Sequence, residues 1–124
     1  MNGLQEIELI QPTFFQRLFR KRIEENAYRQ VNNLVAHSPI FQIYHDGIEA
    51  VIRPYGIKLS DAKARLTEMY LTVVRHFAKN GELTGLDAEH VERLGELCGF
   101  SKEYMAELNS AELAKLKAQA NAGA

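Results

Sequence analysis

A chain of 124 residues with 46% hydrophobic composition is long enough to bury one core and too short to divide comfortably into two. Fifteen Lys and Arg stand against sixteen Asp and Glu, so no global charge draws the chain to nucleic acid or to anionic membrane. Cys98 is the only cysteine, which excludes an intramolecular disulfide and a four-ligand thiolate zinc site.

The first ten residues include Glu6 and Glu8 and no basic cluster before an apolar run, so they do not read as a secretory signal. No apolar stretch approaches the ~20 residues of a membrane-spanning helix. Together with the single cysteine, this leads us to expect a cytoplasmic protein. The charge is unevenly spread: residues 1–79 hold eleven basic and eight acidic side chains, residues 80–124 four and eight.

In chain order, Leu4, Ile7 and Ile10 have helical spacing, but Pro12 limits any helix there, and residues 1–12 are expected to form an arm or a single turn. From Thr13, a capping residue, Phe15, Phe19, Ile23, Ala27, Val31 and Val35 recur every fourth residue. That spacing predicts one amphipathic helix over 13–36, with Asn32 and Asn33 weakening its last turns by competing for backbone hydrogen bonds.

Ser38-Pro39 is a good helix opening, and Ile40, Phe41, Tyr44, Ile48, Val51 and Ile52 share one helical face, predicting a helix over 39–53. A hairpin at 40–53 is the alternative, because Asp46-Gly47 separates two β-prone runs. Adjacent Val51 and Ile52 break the alternation that a strand needs. Within the helical reading, Glu49 and Arg53 form a surface ion pair four residues apart.

Pro54 and Gly56 close this element, and Ser60 and Asp61 open a helix over 61–79 carrying Leu66, Met69, Tyr70, Val73, Val74 and Phe77. Asn80-Gly81 is a turn and Asp87 a cap. The next helix carries Val91, Leu94, Leu97 and Cys98 and ends at Gly99. Ser101 starts a short helix through Leu108, and residues 109–124 form a helical tail that frays for want of large apolar side chains at its end. The expected fold is therefore all-α, a bundle of four or five helices over 13–108 with an arm before it and a tail after it.

His37, His45, His76 and His90 lack the three- or four-residue spacing of helical metal ligands, and Cys98 lies among Leu94, Leu97 and Phe100, where a thiol packs as an apolar group and stays inert. The segment from His76 to Asp87 has the outline of a calcium loop but offers too few side-chain oxygens, so a metal-free corner is expected. Neither a Gly-rich phosphate loop nor a catalytic motif occurs. No cofactor is expected.

Residues Leu66 to Lys102 carry a helix, an Asn80-Gly81-Glu82-Leu83 turn, a capped acidic helix and a Gly99-Phe100-Ser101-Lys102-Glu103 ending. In this the segment, under a third of the chain, resembles tellurite-resistance TerB-type helical domains. The resemblance implies an all-helical architecture. The family's acidic metal sites are not implied with it, because its paired aspartates have no match here.

The strongest surface feature is Phe14-Phe15-Gln16-Arg17-Leu18-Phe19-Arg20-Lys21-Arg22-Ile23. On a helix Arg17, Arg20 and Lys21 point away from the Phe15, Phe19 and Ile23 stripe, with Arg22 near its edge. A solvated face over a core stripe is the plainest account of this pattern. As a functional surface it suggests a non-catalytic protein-binding module, an adaptor, regulator or small subunit, with Arg17, Arg20, Lys21, Arg22, Phe14 and Phe15 at the partner site. The partner is another protein or the acidic helix of Glu89, Glu92 and Glu96 in a second copy. The alternative is a small nucleic-acid-associated protein that adds Arg29 to the cluster. An enzyme or metal protein using His45, His76, His90 or Cys98 stands behind both.

Overall fold

The computed structural model describes residues 2–11, 23–78 and 80–122, and among these the chain is helical with no strand. The all-α expectation holds, and the hairpin alternative at 40–53 does not. The first half of the expected 13–36 helix lies outside the described residues. Its second half is α1, Glu24–His37, which buries Ala27, Val31 and Val35. Ile23 interrupts the expected continuity: its backbone is extended (φ −82°, ψ 111°), so α1 starts afresh after it. Glu24 and Glu25 then meet the positive end of the helix dipole.

Residues 2–11 form no helix and run antiparallel to α1, held by side chains of that helix. Asn33 accepts the Ile7 amide and donates to the Ile7 carbonyl, both at 2.8 Å. Asn26 does the same for Ile10, at 2.6 and 2.8 Å. Asn32 donates to the Gln5 carbonyl and Arg29 to that of Glu8. Asn32 and Asn33, expected to weaken α1, instead spend their amides on the arm. At the arm's start, the buried Asn2 donates to the Val35 carbonyl at 2.7 Å, covering an acceptor that the end of α1 leaves without an intrahelical partner.

The expected 39–53 helix is broken in two. Ile40–Gln42 is a 3-10 turn, and α2 spans only Gly47–Ile52. Between them Ile43 is extended, and Gly47 packs so closely that an added Cβ would lie 2.6 Å from Ile43 Cγ2. Folding back here lets Ile40 and Ile43 reach the core beside one set of neighbours and Ile48 and Ile52 beside another. The turn packs on the helix Gly85–Leu97, and α2 on α1. Glu49 and Arg53 form the expected exposed ion pair at 3.1 Å. Pro54 then sits in a second 3-10 turn, Arg53–Tyr55, closed by Gly56 in the left-handed region.

Helix α3 is Lys63–Phe77, starting two residues later than expected. Asp61 does not cap it; its carboxylate accepts the Lys58 amide in the preceding turn. Helix α3 buries Leu66, Tyr70, Val73 and Val74 and touches α1, α4 and α5. Arg65 grips Glu25 of α1 with two hydrogen bonds, at 2.6 and 2.7 Å, and stacks over Tyr28.

Helix α4 is Gly85–Leu97, and Asp87 lies inside its first turn rather than at its cap. Its end is as the sequence predicts. The Phe100 amide donates to the Gly95 carbonyl and the Gly99 amide to that of Glu96, with Gly99 at φ 77°.

Helix α5 departs most from expectation: it runs unbroken from Lys102 to Ala122. Ser101 caps it by accepting the Tyr104 amide. It passes through Asn109-Ser110 because the Asn109 side chain is already engaged, accepting the Tyr70 hydroxyl at 2.6 Å. Beyond that point Leu113 and Leu116 pack against the core, so the helix does not stop at Leu108, while residues 118–122, where fraying was expected, are helical and exposed. Glu112, only 5% exposed, meets Arg75 of α3 at 2.6 Å.

The Arg75–Glu112 pair generates a prediction. Replacing Arg75 with Met leaves a buried carboxylate without its cation and should cost about 1–3 kcal/mol, below the full-burial figure because the guanidinium is half exposed. Adding Glu112→Leu should recover most of that loss. Urea denaturation of both single variants and the double variant measures the coupling.

Candidate functional site

The expected partner site, Phe14, Phe15, Arg17, Arg20, Lys21 and Arg22, lies outside the described residues. Arg29, the further member of the nucleic-acid alternative, is described and is engaged: it donates to the Glu8 carbonyl at 2.8 Å and lies 3.9 Å from the Glu25 carboxylate. Glu89, Glu92 and Glu96 are exposed on α4, with Glu96 beside Arg93 at 3.7 Å.

The histidines are dispersed. His45 is exposed, and His37 pairs with Glu6 at 3.5 Å on the surface. His76 and His90 flank the Phe77 ring, with centroids 5.1 and 4.8 Å from it. Among the described residues no three His, Cys, Asp or Glu side chains are grouped to hold a metal ion. Cys98 is 2% exposed, and burial pushes its thiol up to about 12, where almost no thiolate nucleophile exists at neutral pH.

The most distinctive described surface is one that sequence reasoning did not single out. A cleft of about 610 Å³ opens between the end of α1, the 38–41 loop, the end of α3 and the first turns of α4. Phe77 and His90 line it, while Phe41, 60% exposed, and Leu86, 77% exposed, stand at its edges. These are large apolar side chains from separate elements, left in water on one concavity.

Local structure explains both exposures. Ile40 and Ile43 anchor their loop in the core, so Phe41 between them points out. On α4 the buried stripe runs through Val91, Leu94 and Leu97, which leaves Leu86 in the first turn with nothing to cover it. Arg93 fixes the loop to α4 by donating to the Ile43 carbonyl at 2.7 Å. A sequence carries a hint of this only in the adjacency of Ile40 and Phe41, of which a 3-10 turn can bury one.

His90 gives the cleft its chemistry. Its Nε2 is buried and has no hydrogen-bond partner among the described residues. Burial holds the ring's pKa below its ordinary 6.5, with His76 acting in the same direction and Asp87 against it. The neutral ring is therefore the form the fold favours. Above pH 6.5 the ring is neutral in both states and its titration takes nothing from stability; as pH falls below 6.5 the unfolded chain takes up a proton that the folded ring resists, and stability drops until the folded pKa is passed. Urea denaturation between pH 7.5 and 5, each pH chosen to bracket that interval, should show this loss in the wild type and a shallower one in His90→Gln.

Searches of protein-family models, curated proteins and solved structures return no match to this chain.

Proposed function

We propose that this protein is a non-catalytic protein-binding module, an adaptor, regulator or small subunit, and that its cleft receives apolar side chains of a partner protein. The observation that carries the reading is the convergence of exposed Phe41 and Leu86 on a cleft floored by Phe77 and His90. Exposed aromatic and aliphatic side chains around a concavity are the usual anchors of protein recognition. Catalysis has less to draw on: the thiol is buried and protonated, and the histidines do not converge.

The basic segment with Phe14, Phe15, Arg17, Arg20, Lys21 and Arg22 belongs to the same proposal as a second contact, steering an acidic partner towards the domain. We place the protein in a reducing, cytoplasmic setting, which the free, buried Cys98 suits. No described helix is long and apolar enough to cross a membrane. The resemblance of residues 66–102 to TerB-type domains enters as an architecture only.

Affinity capture from native extract tests the reading with three folded proteins: the wild type, Phe41→Ser with Leu86→Ser, and Arg17→Glu with Arg20→Glu and Lys21→Glu. A protein retained by the wild type and lost with the Phe41 and Leu86 pair is the expected result. Equal retention by that pair removes the cleft as the site. Loss only with the charge-reversed variant moves binding to the basic segment, and nucleic acid retained in place of protein overturns the protein-binding reading.

A further inference from the structure

The hydrogen bonds that tie residues 5–10 to Asn26, Arg29, Asn32 and Asn33 of α1 all run to the arm's main chain, beside a surface pair of Glu6 with His37. Asn26 and Asn33 each exchange two hydrogen bonds with a single arm residue, accepting its amide and donating to its carbonyl. A residue of a neighbouring antiparallel strand offers the same pair of bonds, and a side-chain carboxamide presents the donor and acceptor of a peptide group.

The spacing fits this purpose. Asn26 and Asn33 are two helical turns apart, about 10.5 Å along α1. Ile7 and Ile10 are three residues apart, about 9 Å in a chain of polyproline-II form, whose three-residue turn brings both to one side. Asn32 and Arg29 add bonds to the Gln5 and Glu8 carbonyls within the same span.

The arm's side chains are only partly covered. Ile7, Leu9 and Ile10 are 39%, 40% and 37% exposed. The bonds themselves are exposed to water, where each is worth about 1 kcal/mol net. The face thus offers extended backbone partners for free amides at two positions three residues apart, through bonds that water can replace. These residues are separate from Phe41 and Leu86, so the inference stands or falls apart from the cleft.

We propose that the Asn26, Arg29, Asn32 and Asn33 face of α1 is a binding site for an extended peptide segment of a partner protein, read through its main chain, and that residues 5–10 occupy it in cis until displaced. The tethered arm competes as an intramolecular ligand at high effective concentration, so a partner must bring further contacts or find the arm weakened.

The test uses the full chain and a fluorescent synthetic peptide of residues 2–11. Ile7→Pro with Ile10→Pro removes the two amides that Asn33 and Asn26 accept, freeing the site without touching the core. Fluorescence anisotropy should show the peptide binding this variant at least about tenfold more tightly than the wild type. Adding Asn26→Ala and Asn33→Ala should abolish binding, as should N-methylation of the peptide's two isoleucines at Ile7 and Ile10.

No binding to the proline variant, or equal binding of the N-methylated peptide, overturns the proposal. So does a dimer of the wild type that is lost with Asn26→Ala and Asn33→Ala, which would assign the face to arms exchanged between copies. A measurement on the wild type guards against a misfolded variant: the Ile7 and Ile10 amides should exchange with solvent much faster than that of Val73 in the core. Exchange in step with Val73 would make the arm a permanent part of the fold and end the proposal.

Discussion

A tyrosine without solvent exposure must bring its hydroxyl to a partner or leave a polar group stranded in the core. Tyr70 is such a residue, fully buried near the middle of α3, and its hydroxyl reaches Asn109 of α5. Its ring meets Phe100 edge-on at 5.6 Å, just past the end of α4. One side chain therefore ties three helices together. Gly95 of α4 makes room for the arrangement, since a Cβ there would collide with Met105 and crowd the Tyr70 ring. Burial drives the phenol up to about 12, so it stays protonated and a hydrogen-bond donor at neutral pH.

From that centre the remaining contacts follow along α5. Asn109 is held by Tyr70, Glu112 by Arg75, and the turn at Gly81 lies against Lys117. At the other side of α3, Arg65 holds the start of α1 through Glu25. Helix α1 is then used on two faces. Ala27, Val31 and Val35 enter the core, while Asn26, Arg29, Asn32 and Asn33 present donors and acceptors to the arm.

The sequence was legible where local chemistry and tertiary packing agree. Helix α3 was visible in the recurrence of Leu66, Tyr70, Val73 and Val74, and the stop at Gly99 in a glycine placed where a left-handed residue is needed. It was misleading where a distant partner overrides a local preference. Asn109 and Ser110 weaken a helix in isolation, but Tyr70, 39 residues away, engages the amide that would have competed with the backbone. Ile40, Phe41 and Tyr44 were read as one face of a long helix, yet the close approach of Gly47 to Ile43 favours a reversal that periodicity cannot reveal and that leaves Phe41 and Tyr44 exposed. The cleft was not legible because it depends on which of two adjacent apolar residues, Ile40 or Phe41, the turn buries. Asn32 and Asn33 were noticed for the wrong reason: polarity on a helix marks a solvated face unless another segment needs its hydrogen bonds.

The manner in which residues 5–10 are held has a consequence for the protein's solubility. Leu4-Gln5-Glu6-Ile7-Glu8-Leu9-Ile10 mixes large aliphatic with polar residues, and an unpaired extended segment of that kind can template pairing with another chain. In a sheet such an edge is blunted by a neighbouring strand; here carboxamides occupy the amide and carbonyl of Ile7 and Ile10, two positions that a foreign strand would otherwise use. Glu6 and Glu8 add the charges that natural sequences set beside β-prone runs. A helix thereby stands in for a sheet partner at Ile7 and Ile10, and the asparagines that shape the arm also occupy backbone groups through which another chain could pair with it.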